Sequence, residues 1–146
     1  MSRRVPELPP DEQLRATTSA SFRGAAAAST RATFAFASQR MRDQAYDAWR
    51  DAVEAAGFPT AGPEMIMALT NRRLLVYRTS FWSGRPTTAS GSIELDRVHT
   101  VATQRHGIVL GVAFALTNGQ IIEVEAMRGW RLRRFAHAVR AALATL

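Results

Sequence analysis

The stretch Ile108–Leu116, IVLGVAFAL, and the stretch Gln120–Ala126, QIIEVEA, decide the fold. In the first, large apolar residues alternate with small ones, and in the second, apolar residues alternate with glutamates. A period of two is typical of strands that bury one face. Asn118 and Gly119 lie between them, and Asn-Gly is the strongest short signal for a hairpin because both residues tolerate positive φ. The sequence therefore predicts a β-hairpin at this point.

The segments around this hairpin predict more antiparallel strands and a final helix. Four strand-sized runs precede it, EMIMALT, RLLVYR, TTASGSIEL and RVHTVATQ, each bounded by turn residues. The tetrapeptide ALTN ends a strand twice, at residues 68–71 and 115–118, which indicates two similar hairpins. After the last strand, RGWRLRRFAHAVRAALATL has an amphipathic helical pattern. Its predicted apolar stripe consists of Leu132, Phe135, Ala136, Val139, Leu143 and Leu146.

The first 57 residues are predicted to contain helix, in contrast to the strands that follow. We expect residues 1–10 to be a flexible tail and residues 11–57 to be an N-terminal helical segment packed on the rest. PPDEQL is typical of a helix start, with prolines ahead of acidic residues near the positive end of the helix dipole. The later part, FAFASQRMRDQAYDAWRDAVEAAG, has clear helical periodicity and ends at Gly57, where a C-terminal cap belongs. Trp49 in this helix and Trp130 near the last helix are interpreted as packing residues.

Together these elements predict an α+β fold, a small antiparallel barrel of six to seven strands with a C-terminal lid helix. The segments MALTNRRLLVYR, GRPTTASGSIELDRVHTV and VAFALTNGQIIEVEAMRG, followed by RLRRFAHAV, resemble bacterial pleckstrin-homology-like (PH-like) domains, relatives of the GRAM type. The resemblance covers residues 64–146. It implies seven strands, of which six are placed by the pattern. The first is either within RATFAFA or replaced by N-terminal helices.

Composition narrows the classes of function. The chain has 146 residues, a formal net charge of +7 and no cysteine, which excludes disulfides and thiolate sites. All of its basic residues are arginine. The N-terminus lacks the apolar run of a signal peptide, and the longest apolar stretch is too short to span a bilayer. We therefore expect a cytoplasmic protein.

Residues suited to catalysis are sparse. His99, His106 and His137 have no acidic partner at metal-ligand spacing, so the sequence predicts no metal site. Glu123 and Glu125 form the best carboxylate pair, and a solvated strand face explains them better than acid–base chemistry. No nucleophile elbow, phosphate-binding glycine loop or dinucleotide fingerprint is present. We expect neither an enzyme nor a cofactor.

Arginines and two adjacent aromatic residues supply the candidate contact sites. The turn-like stretch YRTSFWSGRP carries a Phe-Trp pair with arginines on both sides. We expect at least one of the two rings to fold onto the barrel rim, and the alternative is one packed ring and one exposed ring that contacts a partner. The candidate partner or lipid contact comprises Arg72, Arg73, Arg78, Phe81, Trp82 and Arg85. A second candidate, a basic face at the final helix, comprises Arg128, Arg131, Arg133 and Arg134.

The PH-like resemblance implies a non-catalytic interaction or scaffold module that binds a protein partner or associates with itself. One alternative is a peripheral membrane adaptor that binds anionic lipid through the Phe81–Trp82 loop and its arginines. Another is a carrier of a small apolar ligand, which is disfavoured because apolar side chains already fill the space under the lid. No nucleic-acid motif accompanies the charge, so specific nucleic-acid binding is not expected.

Overall fold

A computed structural model of the chain describes residues 8–23, 35–60, 62, 64–79 and 86–146. Within these residues the fold is α+β, with one antiparallel sheet of seven strands ordered β4-β3-β2-β1-β7-β6-β5. In chain order the elements are β1 (Leu14–Phe22), α1 (Ala35–Ala55), β2 (Glu64–Thr70), β3 (Arg73–Thr79), β4 (Pro86–Glu94), a 3₁₀ turn (Leu95–Arg97), β5 (Val98–His106), β6 (Val109–Leu116), β7 (Ile121–Met127) and α2 (Trp130–Leu143).

The sheet is not closed into a barrel, so this part of the fold prediction is wrong. Strands β4 and β5 are its two edges, although they follow each other in the chain with only the turn Leu95–Arg97 between them. After that turn β5 pairs with β6, and the described residues form no ladder between β5 and β4. The backbone groups along the outer side of each edge strand therefore lack a neighbouring strand, the usual state of a sheet edge.

Helix α2 covers the core as the predicted lid. Its residues Leu132, Phe135, Ala136 and Val139 are buried and belong to the same apolar cluster as the inward side chains of the strands. Along β6 the burial alternates as the sequence predicts, with Leu110, Val112, Phe114 and Leu116 facing inward. Side chains of both the sheet and α2 therefore form one apolar core.

Strand β1 corrects the prediction for the N-terminal segment. Residues 14–22, LRATTSASF, form a strand between β2 and β7, where a helix beginning near Asp11 was expected. Thr18, Ala20 and Phe22 are buried and alternate with more exposed residues. The ladder of β1 with β2 runs from Leu14 to Ser21, whereas β1 pairs with β7 only at Ser21 and Phe22. The backbone hydrogen bonds of the ladder with β2 compensate for the few large side chains that β1 buries. The first strand thus lies before RATFAFA.

Helix α1 is confirmed, and its C-terminal end packs on the sheet. Gly57, with φ 84°, ends it as expected for a glycine cap. Phe58 then turns into the core, where its ring centroid lies 5.7 Å from that of Phe114. The Asn118 amide donates to the Ala56 carbonyl at 3.1 Å, so the β6–β7 turn holds the end of the helix.

Trp49 anchors the middle of α1. Its indole N–H donates to the Glu123 carbonyl at 2.7 Å, and its ring centroid lies 6.2 Å from that of Phe22. Tyr46, one turn earlier, lies edge-on to Phe22 at 5.6 Å. Partial burial raises the pKa of the Tyr46 hydroxyl above its ordinary value. The expectation that Trp49 is a packing residue is confirmed.

A buried ion pair fixes the segment before β1. Within the predicted flexible tail, residues 1–7 lie outside the described residues, but Leu8 packs on the outer face of β2 and β3. Arg73 donates to both carboxylate oxygens of Glu12, from Nε at 2.8 Å and from Nη2 at 3.0 Å. The Thr70 hydroxyl donates to the same carboxylate at 2.8 Å. These hydrogen bonds from Arg73, followed by that from Thr70, lower the pKa of Glu12 although its burial opposes them.

Replacing Glu12 by glutamine should lower the free energy of unfolding by about 2 kcal/mol at pH 7, because a charged hydrogen-bonded pair is lost. The folded pKa of Glu12 lies below its ordinary 4.5, so the pair contributes fully above that pH. Its contribution disappears as the pH falls through the folded pKa. The difference in free energy of unfolding between wild type and variant, measured by urea unfolding, should therefore be smaller at pH 3 than at pH 7.

The matched control is Asp11→Asn, because Asp11 pairs with Arg72 while both side chains are more than half exposed. Exposed pairs contribute little, so the expected loss is below about 0.5 kcal/mol. An equal loss in the two variants, or a difference for Glu12 that does not change with pH, would contradict the structural role given to Glu12.

Candidate functional site

The arginines of the first predicted contact are partly used within the molecule. Arg73 binds the buried Glu12 carboxylate, and Arg72 forms an ion pair with Asp11. Both therefore hold the N-terminal segment across the β2–β3 turn. Arg78, on β3, is exposed. Arg72 lies in the β2–β3 turn and Arg73 begins β3, so these two consecutive residues share one end of the sheet.

The remaining members of that contact, Phe81, Trp82 and Arg85, lie outside the described residues. The role predicted for this loop accordingly stays a prediction. A second candidate surface lies within the described residues. It is formed by the turn between β5 and β6 and by the connection from β7 to α2.

These two connections lie side by side. Val109 at the start of β6 pairs with Met127 at the end of β7. Beyond this pair, the Arg128 backbone N–H donates to the Ile108 carbonyl, so the two chain reversals are joined by a hydrogen bond. Arg105 reaches across from β5 and donates from Nη2 to the Arg128 carbonyl at 2.9 Å. We call this surface the apolar–basic tip, defined as Arg105, Ile108, Met127, Arg128, Trp130, Arg131 and Arg134.

Three large apolar side chains project from the tip into solvent. The exposed fraction is 61% for Ile108, 59% for Met127 and 59% for Trp130. An exposed apolar residue by itself is normal, but neighbouring ones on adjacent connections mark an interaction surface more often than a solvated one. Ile121, at the opposite end of β7, is equally exposed at 62% and serves as a reference.

Two arginines lie against the aromatic ring of the tip. The guanidinium carbon of Arg131 lies 5.6 Å from the centroid of the Trp130 ring and that of Arg134 lies 5.3 Å from it, both within the range of cation–π contacts. None of the ion pairs formed within the described part of the chain involves Arg105, Arg128, Arg131 or Arg134. Their charges are therefore available to an anionic partner.

The helical rotation explains why Trp130 points outward and corrects its expected packing role. Each residue of an α-helix advances the side chain by about 100°, so Trp130 lies about 200° from Leu132 on the core-facing stripe. Arg134, four residues on from Trp130, returns to the same outward face. Gly129 precedes the helix with φ 70° and is buried against Leu110, which fixes the direction in which α2 starts.

The structure thus brings together three of the four residues of the predicted basic face. Arg128, Arg131 and Arg134 belong to the apolar–basic tip, whereas Arg133 is exposed on α2 without belonging to it as defined. Sequence reasoning missed Arg105, Ile108 and Met127. These three residues could have been found from the predicted strand order. Because β6 pairs with both β5 and β7, the β5–β6 turn must lie beside the end of β7.

Of the residues considered for catalysis, His106, Glu123 and Glu125 line a common cleft, whereas His99 and His137 do not line it. Glu123 forms an ion pair with Arg23, and Glu125 is buried, so the predicted solvated face is wrong for Glu125. His99, His106 and His137 are exposed. Among the described residues, no three histidine, aspartate or glutamate side chains are grouped so that they would hold a metal ion. This cleft of about 230 Å³ lies on the outer face of β5, β6 and β7, and Arg23 lines it together with His106 and both glutamates.

The edge of β5 is partly occupied. Arg140 on α2 donates from Nη2 to the Val101 carbonyl at 2.9 Å, so this position of the edge already has a partner. A peptide added as a further strand would compete with this bond. The apolar–basic tip, in contrast, presents its apolar side chains without a covering element among the described residues.

No protein-family model matches the chain, and no curated protein matches it either. In the described part, no helix has both the length and the apolar character needed to cross a bilayer.

Proposed function

We propose that the chain is a non-catalytic interaction module of PH-like type that holds its partner at the apolar–basic tip. A cytoplasmic location is part of this proposal. The PH-like assignment is supported by β1, which supplies the seventh strand that the resemblance implies, and by the final helix that covers the core. The single observation that carries the site is the exposure of Trp130 between two arginines.

The energetics of the tip suit reversible binding. Covering an apolar side chain completely contributes about 1.5–3 kcal/mol, and these three side chains are already partly covered. About 1 kcal/mol each is therefore available from Ile108, Met127 and Trp130. Guanidinium groups add favourable contacts to carboxylate or phosphate in the partner. The sum of these contributions is small enough for reversible binding, which should depend on the salt concentration and on the concentration of the partner.

The two other functions remain separate proposals of unequal standing. A peripheral membrane adaptor that binds anionic lipid through the Phe81–Trp82 loop and its flanking arginines stays an alternative proposal, and Arg78, which precedes this loop in the chain, is exposed. The carrier of a small apolar ligand has less support, because Leu132, Phe135 and Val139 occupy the space between sheet and α2.

The test is photo-crosslinking in cells of the source organism. A benzophenone amino acid placed at position 130 should form adducts with its partner, because this side chain is proposed to lie in the contact. The same probe at position 121, equally exposed at the opposite end of β7, is the matched control. Adducts that are absent at position 130, or that are equally abundant at both positions, would contradict the assignment of the tip as the binding surface.

A further inference from the structure

The apolar side chains of the tip are of the types that insert into the interface of a lipid bilayer. Ile108 lies in one chain reversal, and Met127 and Trp130 flank the other, so all three project from adjacent connections at one end of the sheet. Tryptophan favours the boundary between water and hydrocarbon, because its ring is apolar while its N–H still finds a hydrogen-bond acceptor. Ile108 and Met127 supply aliphatic surface that suits acyl chains.

The basic part of the tip has the chemistry of phosphate binding. Arg131 and Arg134 lie against the Trp130 ring, and Arg105 donates to the Arg128 carbonyl. The ion pairs of the described residues leave these four arginines without acidic partners. Guanidinium groups match phosphate oxygens with two parallel hydrogen bonds. A partner surface that is negatively charged and also accepts apolar side chains would match both the arginines and the apolar side chains of the tip.

From this combination we infer that the partner of the apolar–basic tip is the surface of an anionic lipid bilayer. This inference rests on the function proposed above and names the partner. A stable protein interface usually takes 20–30 residues from each side, far more than the tip provides. Single-stranded nucleic acid uses stacked aromatic rings, and Ile108 and Met127 have no role in such stacking. A bilayer requires only shallow insertion and diffuse negative charge.

The experiment is co-sedimentation of the full chain with vesicles. Vesicles of phosphatidylcholine alone are compared with vesicles that also contain phosphatidylglycerol, at low and at physiological salt. We expect pelleting with the anionic vesicles, weakened by salt, and little with the neutral ones. Trp130→Ala should lower the partition coefficient about 5-fold. Arg131→Gln combined with Arg134→Gln should lower it about 30-fold.

Matched controls separate the tip from general charge and hydrophobicity. Ile121→Ala removes an equally exposed apolar side chain, and Arg15→Gln combined with Arg97→Gln removes the same charge from exposed positions outside the tip. Both controls should keep most of the binding. Circular dichroism of each variant establishes that it is folded before its binding is compared.

Three outcomes would overturn the inference: no pelleting with anionic vesicles at low salt, equal losses in tip and control variants, or binding that is lost with Phe81→Ala plus Trp82→Ala and kept with Trp130→Ala. If vesicle binding fails, the crosslinking experiment at position 130 shows whether the tip is nevertheless a binding surface. Adducts to a protein or a nucleic acid at position 130, without vesicle binding, would leave the tip as the binding surface and refute the bilayer as its partner. Adducts absent there as well would refute both proposals.

Discussion

Replacing Gly129 by alanine should lower the free energy of unfolding by about 2–4 kcal/mol. Two effects add at this position. Its φ of 70° lies in the left-handed region that side chains disfavour, and an added Cβ would overlap the Cβ of Leu110, whose side chain is fully buried. Because Leu110 cannot move into solvent, either β6 or the start of α2 must shift. Chemical denaturation of wild type and variant measures the loss.

Gly107→Ala is the matched control for this prediction. Gly107 has φ 62°, close to that of Gly129, but a Cβ added there would meet nothing within 4 Å. Only the cost of the left-handed backbone remains, about 1 kcal/mol. Similar losses in the two variants would show that the close approach of Gly129 to Leu110 does not constrain the start of α2.

Replacing Phe135 by alanine should lower the free energy of unfolding by about 3–5 kcal/mol, the range for removing a large side chain from a packed core. Phe135 is 1% exposed on the core face of α2 and belongs to the main apolar cluster. The cavity would weaken the attachment of the helix that carries Trp130, Arg131 and Arg134. Urea unfolding followed by circular dichroism gives the magnitude.

His137→Ala on the same helix is the control, because His137 is exposed. Exposed substitutions of this kind usually change stability by less than about 0.5 kcal/mol. If Phe135→Ala were as mild as His137→Ala, α2 would not be the element that covers the core.

The sequence contains enough information for most of the elements but not for β1. Strands β6 and β7 show clear alternation, β2 to β5 are strand-sized runs bounded by turn residues, and both helices show helical periodicity. Asn71 and Asn118 mark two of the turns. In β1 the buried positions include Thr18 and Ala20, which are too small and polar to produce an apolar alternation. The preceding PPDEQL also resembles a helix start, whereas Glu12 there serves a buried ion pair whose partner is 61 residues away.

The candidate site was accessible from sequence only in part. The basic character of the final helix was visible, and the stripe defined by Leu132 and Phe135 already places Trp130 on the outward face. The proximity of Ile108 to Met127 was not visible, because it depends on which strands pair and in which register. Closure of the sheet depends on whether β4 and β5 pair, and the residue patterns of these two consecutive strands do not determine that.

The most direct test of the central claim uses lipids with brominated acyl chains, which quench tryptophan fluorescence on contact. The chain has three tryptophans, so each can be isolated by replacing the other two with phenylalanine. In anionic vesicles the Trp130-only variant should be strongly quenched, and the Trp49-only variant should not, since Trp49 packs against Phe22 within the fold. Quenching confined to the Trp82-only variant, or no quenching in any of the three, would contradict the claim that the apolar–basic tip binds the bilayer.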